Sequence, residues 1–578
     1  MNAMISNAHL SEQHYHLERP PLDRIDAVFF LSLFGTLSAV YVILIIAIDN
    51  TNLATTNGLW KSAYIFRWAT NGQGWFDTGG VLYLPIYFYI TAALPDSWFH
   101  YGEYGQFLIY RKMAVTNALF GALSTAGVYL LSRLVLVRRL SALVVAVSHA
   151  ALAFVMLNSL NSEDVIPAYA FFIFSVFAFF AFVRHRNYMW LAVSTFCIVM
   201  VTFFHWTLLF PVAFALGSTI FWLSMTDRRY AWAIPAAPLL YLSWLFAVTM
   251  IIVVVKPEAT VFNLRWLLFP AKAGGTGWTG FHVDKVYHAL AGMGQYFFGG
   301  RNITNFVTVS ANPFWLTEVT AGLVLLLAAL AVCVITVLAE SRGKEKFFAV
   351  ALAIFGACFF LSGELMHLYS QPQDPQSQIQ PMFVGIIGLM LGLRYVEAKY
   401  STKFTAIITA ISLFFAGSGF YNASQFLSQR GMDSQAIIQL QQFSKIFPAD
   451  KTVIVTHGFE GWNTWRFVEG FRADRTAFDG RSIFVSTPFI RVQYVSAIDA
   501  ASHVTATLER AFAAGDDVVA CAMWTESEDR FVASMSTVTT NERARSFYRI
   551  MRERFETAKS WDTPYGRCVT LVLARDDV

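Results

Sequence analysis

Charge is what this sequence has least of. Only 14% of its 578 residues are Asp, Glu, Lys or Arg, against 56% hydrophobic ones. Many apolar runs reach the roughly twenty residues that a bilayer demands, so the chain reads as a polytopic α-helical membrane protein. Its 54 phenylalanines fit side chains that face lipid and need no polar surface. Cysteine is scarce too: there are five, and none has the spacing of a metal site. Cys197, Cys333 and Cys358 fall inside apolar runs and read as inert packing residues. Cys521 and Cys568 lie in a C-terminal region that the topology below places in an oxidising compartment, where a disulfide and two free thiols are both open. The chain also lacks internal repeats, low-complexity tracts and a cleavable signal. A polar tail, residues 1–26, precedes the first apolar run and is expected to be cytoplasmic. Its His9, His14 and His16 read as part of a solvated tail rather than as metal ligands.

The formal net charge of +4 says little as a total, but its distribution is informative. Apolar runs at 27–48, 113–136, 139–158, 167–184, 188–204, 206–226, 231–255, 314–338, 346–363, 379–396 and 403–421 read as eleven spans. The basic clusters Arg138-Arg139, Arg184/Arg186, Arg228-Arg229, Arg342/Lys344/Lys346 and Arg394/Lys399/Lys403 all fall on the side of the N-terminus. Cytoplasmic loops carry the excess of Lys and Arg, which sets the N-terminus inside and the C-terminus outside. The membrane region, 27–425, then has short inner loops and long outer ones at 49–112, 256–313 and 364–378. Most of its non-spanning mass is on the outer side.

In the first outer loop, Leu59 to Trp68 (LWKSAYIFRW) has helical apolar spacing and reads as a helix lying on the membrane. A Gly-rich turn around Asn71-Gly72-Gln73-Gly74 follows, then the aromatic segment Val81 to Tyr89. Residues 430–578 change character. Charge returns, and the β-type runs Thr452 to Thr456, Asp517 to Met523 and Cys568 to Leu573 alternate with helical stretches at Ser502 to Ala514 and Asn541 to Lys559. That alternation predicts a periplasmic or extracellular α/β domain, long enough to bury its own core.

Carboxylates at the ends of apolar spans are costly there and read as functional by default. Asp49 closes the run Ala27 to Ile48, and Glu163-Asp164 sits in the next loop on the same side. The order of features is specific. After Asp49 come the amphipathic outer helix, the glycine turn, and Leu82-Tyr83 with Pro85 and Tyr87. Tyr110-Arg111-Lys112 then opens a span, and Glu163-Asp164 stands just before Pro167-Ala168-Tyr169. This series resembles the GT-C superfamily of integral-membrane glycosyltransferases. Within it, the branch of lipid A aminoarabinose transferases and protein O-mannosyltransferases is the most similar. The resemblance runs in order from residue 27 to about 225, and more loosely beyond. The tryptophan-rich WWDYG-type motif of oligosaccharyltransferases is missing from the C-terminal region.

The resemblance implies a glycosyltransferase that takes a monosaccharide from a polyprenyl-phosphate donor on the non-cytoplasmic face, usually with inversion. The acceptor would be a cell-envelope glycan, glycolipid or protein, and the enzyme would sit in a bacterial inner (plasma) membrane. Membrane lipids are the other expected partner, and no nucleic acid is expected. The chemistry needs a carboxylate to take the acceptor's proton, an anion near an oxocarbenium-like centre, and cationic donors for the leaving phosphate. By position, Asp49 matches the family's acid at the end of the first span and is expected to be the base. A hydrated helix-terminal carboxylate is the bland reading. Asp164 or Glu163 matches the second acidic position, and an ordinary helix N-cap is the alternative. Asp77 points into the site or serves its turn locally. Arg111 anchors a headgroup or packs on the first loop, and His205 is a site cation or an interfacial residue. For the carrier phosphate the expected residues are Arg265, Lys272 and Arg301 in the loop after Val255. The alternative for these is contact with lipid headgroups. The amide-rich loop His367 to Pro381 has, in Gln371, Gln373, Asp374, Gln376, Gln378 and Gln380, the donor and acceptor inventory for sugar hydroxyls, with His367 and Asp374 as candidate contacts. A divalent cation between Asp49 and Glu163-Asp164 is chemically compatible with hard oxygen ligands, although the resemblance does not demand one. A transporter or lipid flippase is the alternative function, since buried acids serve it too. The outer-interface placement of the charges and the lack of inverted repeats speak against it.

Overall fold

The computed structural model describes residues 22–50, 61, 62, 65, 69, 82–99, 105–162, 164–255, 284–298, 315–339, 344–368, 379–399, 403–428, 430–448, 451–456, 482–485, 488, 489, 496–521, 523–535, 539–564 and 566–574. The membrane region is a helical bundle: α1 (Arg24–Ile48), α2 (Tyr83–Ala93), α3 (Gly105–Val135), α4 (Arg139–Ala151), α5 (Ala153–Leu160), α6 (Val165–His185), α7 (Tyr188–Phe204), α8 (Leu209–Thr226), α9 (Ala233–Val255), α10 (Asp284–Phe298), α11 (Trp315–Ala339), α12 (Lys344–Leu368), α13 (Ile379–Lys399) and α14 (Phe404–Leu427). Among the described residues, eight helices are long and apolar enough to cross a bilayer. The bent pair α4–α5 also passes that test, and α7 and part of α11 are shorter apolar helices. Each of the eleven apolar runs is therefore helical. This is an integral membrane protein.

The run at 139–158 is not one straight span. α4 and α5 meet at a 60° bend at Leu152, whose backbone is extended. A break inside lipid is tolerated only if the freed carbonyls find donors. Tyr41 Oη donates to Ala150 O at 3.3 Å, and Asn422 Nδ2 donates to Ala151 O at 3.2 Å. Below the bend, His149 sits between Thr125 (Nδ1–Oγ1 2.9 Å) and Tyr169 (Nε2–Oη 2.9 Å). Elsewhere the core is aromatic. Phe172 of α6 stacks on Phe359 of α12 at 4.5 Å and meets Phe383 of α13 edge-on at 4.8 Å. α10 and α11 lie in backbone contact: a Cβ at Gly322 would stand 1.9 Å from Leu290 O, and one at Gly294 2.2 Å from Glu318 O.

The basic residues of the predicted inner face tie the helix ends together there. Asp23 and Asp26 form a capping box that starts α1 three residues earlier than the apolar run. Asp26 then accepts from Arg133 (2.8 Å), Tyr129 (2.8 Å) and Arg139 (3.2 Å). Glu397 accepts from the backbone of Val137 and Arg138, and Arg138 stacks over Phe404.

Beyond α14, α15 (Met432–Ile446) leads into a sheet of β1 (Thr452–Thr456), β2 (Ser482–Phe484), β3 (Asp517–Ala520), β4 (Phe555–Thr563) and β5 (Gly566–Leu573), interleaved with α16 (Ala497–Ala513), α17 (Glu528–Met535) and α18 (Asn541–Arg554). The strand order is β2-β1-β3-β5-β4, with β1 parallel to β2 and β3 and the β3–β5 and β5–β4 pairs antiparallel. Phe443 and Phe447 of α15 cover one face, on Ile454 and Val519. α16, α17 and α18 cover the other through Val504, Leu508, Phe531 and Phe547. Cys521 and Cys568 form a disulfide that joins the end of β3 to β5. The helix predicted over Asn541 to Lys559 stops at Arg554, and Phe555 to Thr563 instead pairs with β5. The segment is rich in helix formers, but burial of Phe555 in the core and the open edge of β5 decide it.

Candidate active site

Two clusters of charge stand at the end of the bundle opposite the Asp26 network. In the first, α1 ends at Ile48 and Asp49 turns the chain in a left-handed conformation (φ 47°, ψ 44°). Its carboxylate forms an ion pair with Arg111 through Oδ1, and Oδ2 accepts from the Ser434 hydroxyl and from Ser434 N at 3.3 Å. Arg111 also donates from Nη1 to Ile45 O (3.1 Å) and pairs through Nε with Asp433 (3.3 Å). The backbone completes the joint, Asp433 N donating to Asp49 O and Gly431 N to Ile48 O, both at 2.9 Å. The C-terminus of α1 is thus stitched to the N-terminus of α15, where a helix dipole favours an anion such as the Asp49 carboxylate. Arg111 is 6% exposed and Asp433 fully buried. Arg111 therefore cross-links helices, and Asp49 is an ion-paired joint residue rather than a merely hydrated helix end.

The second cluster surrounds Asp164, which is 4% exposed at the N-cap position of α6 yet makes no capping bond with its side chain. Instead its Oδ2 pairs with Lys61 Nζ at 2.6 Å, and its Oδ1 lies 3.8 Å from His205 Nδ1. Lys61 also sits over the ring of Tyr83 at 4.7 Å. Burial pushes the Asp164 carboxyl up, but the Lys61 ammonium and then His205 overcome it and hold it below the usual carboxylate range. Asp164 Oδ1 and both ring nitrogens of His205 are buried without a hydrogen bond. His205 is therefore a buried residue rather than one exposed at the interface. The frame around them is rigid. Tyr83 Oη donates to Ser162 O (2.8 Å) and stacks on Tyr87 at 4.0 Å, Tyr87 donates to Asn117, and Asn117 Nδ2 donates to Asn161 O (2.8 Å). Leu82 N bonds Phe203 O at 3.1 Å, fixing the start of α2 beside His205. α3 links the clusters, since Arg111 holds Asp49 and Asn117, about 9 Å further along the helix, holds the Asp164 loop.

Of the residues expected from the sequence, Asp49 and Arg111 come together in one cluster and Asp164 and His205 in the other. Glu163, Asp77, Arg265, Lys272, Arg301 and Asp374, the side chain of His367, and most of the predicted helix at 59–68 lie outside the described residues. Sequence reading missed Lys61, Tyr83, Asn117, Asp433 and Ser434 as site residues. Lys61 and Tyr83 were visible inside segments already singled out. Asp433 and Ser434 had no local signal, because they reach the site from nearly four hundred positions away (Asp49–Ser434, 385). Among the described residues no group of three or more His, Cys, Asp or Glu side chains is arranged to hold a metal ion. Arg111 and Lys61 supply cations to Asp49 and Asp164 from within the chain.

The arrangement of helices is similar to that of solved membrane glycosyltransferases, in line with the sequence resemblance. The chain superposes on ArnT from Cupriavidus metallidurans bound to undecaprenyl phosphate with a TM-score of 0.51 and 10% identity, covering 95% of this chain and 99% of that one. It also matches the Archaeoglobus fulgidus oligosaccharyltransferase tethered with an acceptor peptide (TM-score 0.48, 10% identity, 95% of this chain and 74% of that one). A third match is ArnT from Cupriavidus metallidurans in the apo state (0.46, 11%, 94% and 98%). No protein-family model matches the chain, and no curated protein matches it by sequence. At these identities the likeness shows the fold.

Proposed function

We propose that this chain is an inverting glycosyltransferase of the membrane. It moves a monosaccharide from a polyprenyl-phosphate donor to a cell-envelope glycan, glycolipid or protein on the non-cytoplasmic face. The observation that carries the reading is the Lys61–Asp164–His205 cluster. A buried carboxylate keeps one oxygen unbonded beside an imidazole with two unbonded nitrogens, on a GT-C fold. In the reaction the acceptor oxygen bonds to the anomeric carbon as the bond to the phosphate oxygen breaks, and the acceptor proton passes to a carboxylate. Asp49 was the expected base, but its oxygens are already taken by Arg111 and Ser434. Oδ1 of Asp164 faces His205 without a hydrogen bond, which favours Asp164 for that role, with Asp49 positioning Arg111. Lys61 and His205 would hold and orient that carboxylate. The departing phosphate, on the opposite face of the sugar in an inverting transfer, would be met by the basic residues Arg265, Lys272 and Arg301 of the loop after Val255, as charge-assisted donors do best in a dry site. An apolar cavity of about 160 Å³ between α3, α6 and α7, lined in part by Ala170, Phe171 and Trp190, begins about 9 Å along α6 from Asp164 and suits an isoprenoid chain.

The eleven-span topology with the N-terminus inside belongs to the proposal. It is supported by the basic network at one end and by the disulfide in the domain at the other, since disulfides persist in oxidising compartments. Residues 430–578 would shape acceptor access from the periplasm. The test is release of polyprenyl phosphate by purified protein from a panel of undecaprenyl-phosphate sugars with an envelope extract. Asp164→Asn should lower turnover by about 10²–10⁴, the usual weight of a general base. A smaller loss there than in Asp49→Asn, with both variants folded, would return the base to Asp49.

A further inference from the structure

Two polar side chains near the outer ends of α12 and α13 have no use in the mechanism above. Glu364 is 8% exposed with Oε1 unbonded, and Gln380 is fully buried with both amide atoms unbonded. Among the described residues, Gln380 and His205 are the two side chains with two polar atoms that are both buried and without a hydrogen bond. A buried polar group without a partner is costly, and a Leu or Met of similar size would avoid that cost. The backbone makes room for the arrangement. A Cβ at position 363 would lie 2.4 Å from Gln380 Cγ and 2.8 Å from its Nε2, so only Gly363 lets this amide rest against α12 beside Glu364.

Their level in the bundle is set by the aromatic contacts beneath them. Phe172, Phe359 and Phe383 form a floor with centroids 4.5, 4.8 and 5.8 Å apart. Glu364 stands about 7.5 Å along α12 from Phe359, and Gln380 about 4.5 Å along α13 from Phe383. Asp164 stands about 12 Å along α6 from Phe172. All three helices rise from one floor toward the same end, and neighbouring helix axes are typically 8–10 Å apart. A carboxyl and an amide toward the same end of the bundle supply donors and acceptors for a hydroxylated ring, one of whose faces can lie on aromatic carbon.

We propose that Glu364 and Gln380, with Gly363 making their room, are a recognition subsite for the hydroxyl groups of the transferred sugar. The proposal rests on the glycosyltransferase reading and names specificity determinants within it. Full-length protein in nanodiscs is titrated, with native mass spectrometry, against undecaprenyl phosphate and against undecaprenyl-phosphate hexoses bearing different hydroxyl configurations. In Gln380→Leu and in Glu364→Leu the binding of the preferred hexosyl lipid should weaken about tenfold. Binding of the bare undecaprenyl phosphate should stay within twofold, so the ratio of the two affinities collapses. Glu364→Gln, which keeps hydrogen-bonding capacity, should restore most of the ratio. Loss of both lipids in equal measure, or an unchanged ratio in variants that stay monodisperse, overturns the subsite while leaving the glycosyltransferase reading intact. Failure of the native protein to bind either lipid overturns both. Gly363→Ala is the second variant. It moves Gln380 without removing a polar atom, and it should lower the same ratio.

Discussion

Lys61 and Asp164 are each nearly excluded from water, so each depends on the other for its charge. A buried pair broken on one side leaves an uncompensated ion, at about 3–5 kcal/mol. Lys61→Met should therefore destabilise the protein by about that amount at neutral pH, and Lys61→Met with Asp164→Asn should recover much of the loss in a double-mutant cycle. The sign of the pH effect follows from the carboxyl's position below its ordinary value. Its contribution to stability is present above the unfolded carboxylate value, near pH 4, and disappears as pH falls through the lower folded value. Without Lys61, burial dominates and the carboxyl moves up. The acid edge of the activity profile and the onset of acid unfolding should both shift to higher pH. An unmoved acid edge would remove Asp164 from the chemistry. Residue identity was readable here only in part. Asp164 and His205 declare themselves by lying at the ends of apolar runs, whereas Lys61 looks like one more interfacial lysine until the fold folds it under Tyr83.

At the scale of elements, helices in this bundle are set by apolar length, and the bundle's irregularities by individual contacts. All eleven apolar runs became helices because an unpaired backbone cannot lie in lipid. The 60° bend at Leu152 has no such simple signature, since no Pro or Gly stands there. It depends on Tyr41 and Asn422, which come from the first and last helices of the bundle. α10 and α11 show the opposite case, in which two glycines announce a close approach. Gly322→Leu would drive a side chain into Leu290 O and should lower the thermal midpoint in detergent, by at least the roughly 1–3 kcal/mol of an overpacked core. A midpoint equal to that of the native protein would mean that the two helices do not touch as described. At β4 the helical pattern that runs from Asn541 gives way after Arg554, and pairing with β5 takes over.

For the whole molecule the decisive contact is between the membrane bundle and the C-terminal α/β unit. α15 begins in the Asp49–Arg111 joint and ends as a cover for the sheet, so its two ends report on both units. The C-terminal unit is itself closed by Cys521–Cys568 across 47 positions, a loop whose closure stabilises by about 4 kcal/mol on the chain-entropy view. Cys568→Ser should lower the midpoint of that unit's unfolding, and thiol labelling under denaturation should count two reactive cysteines fewer in the native protein than after reduction. Equal counts would mean that the bond does not form. Composition and apolar periodicity alone determined the membrane class, the eleven runs, the strand-rich C-terminal region and the end of the bundle where acids gather. Those features follow from the solvent each segment must meet, which is a local property of sequence. The tertiary structure alone decided which cation neutralises which carboxylate, and so why Asp164 keeps an oxygen without a hydrogen bond, facing His205, while both oxygens of Asp49 are bonded. It also placed Glu364 and Gln380 over one aromatic floor. Partners in an ion pair or a buried subsite come from helices distant in the chain, and nothing in the spacing of one segment encodes the side chain that another will bring against it.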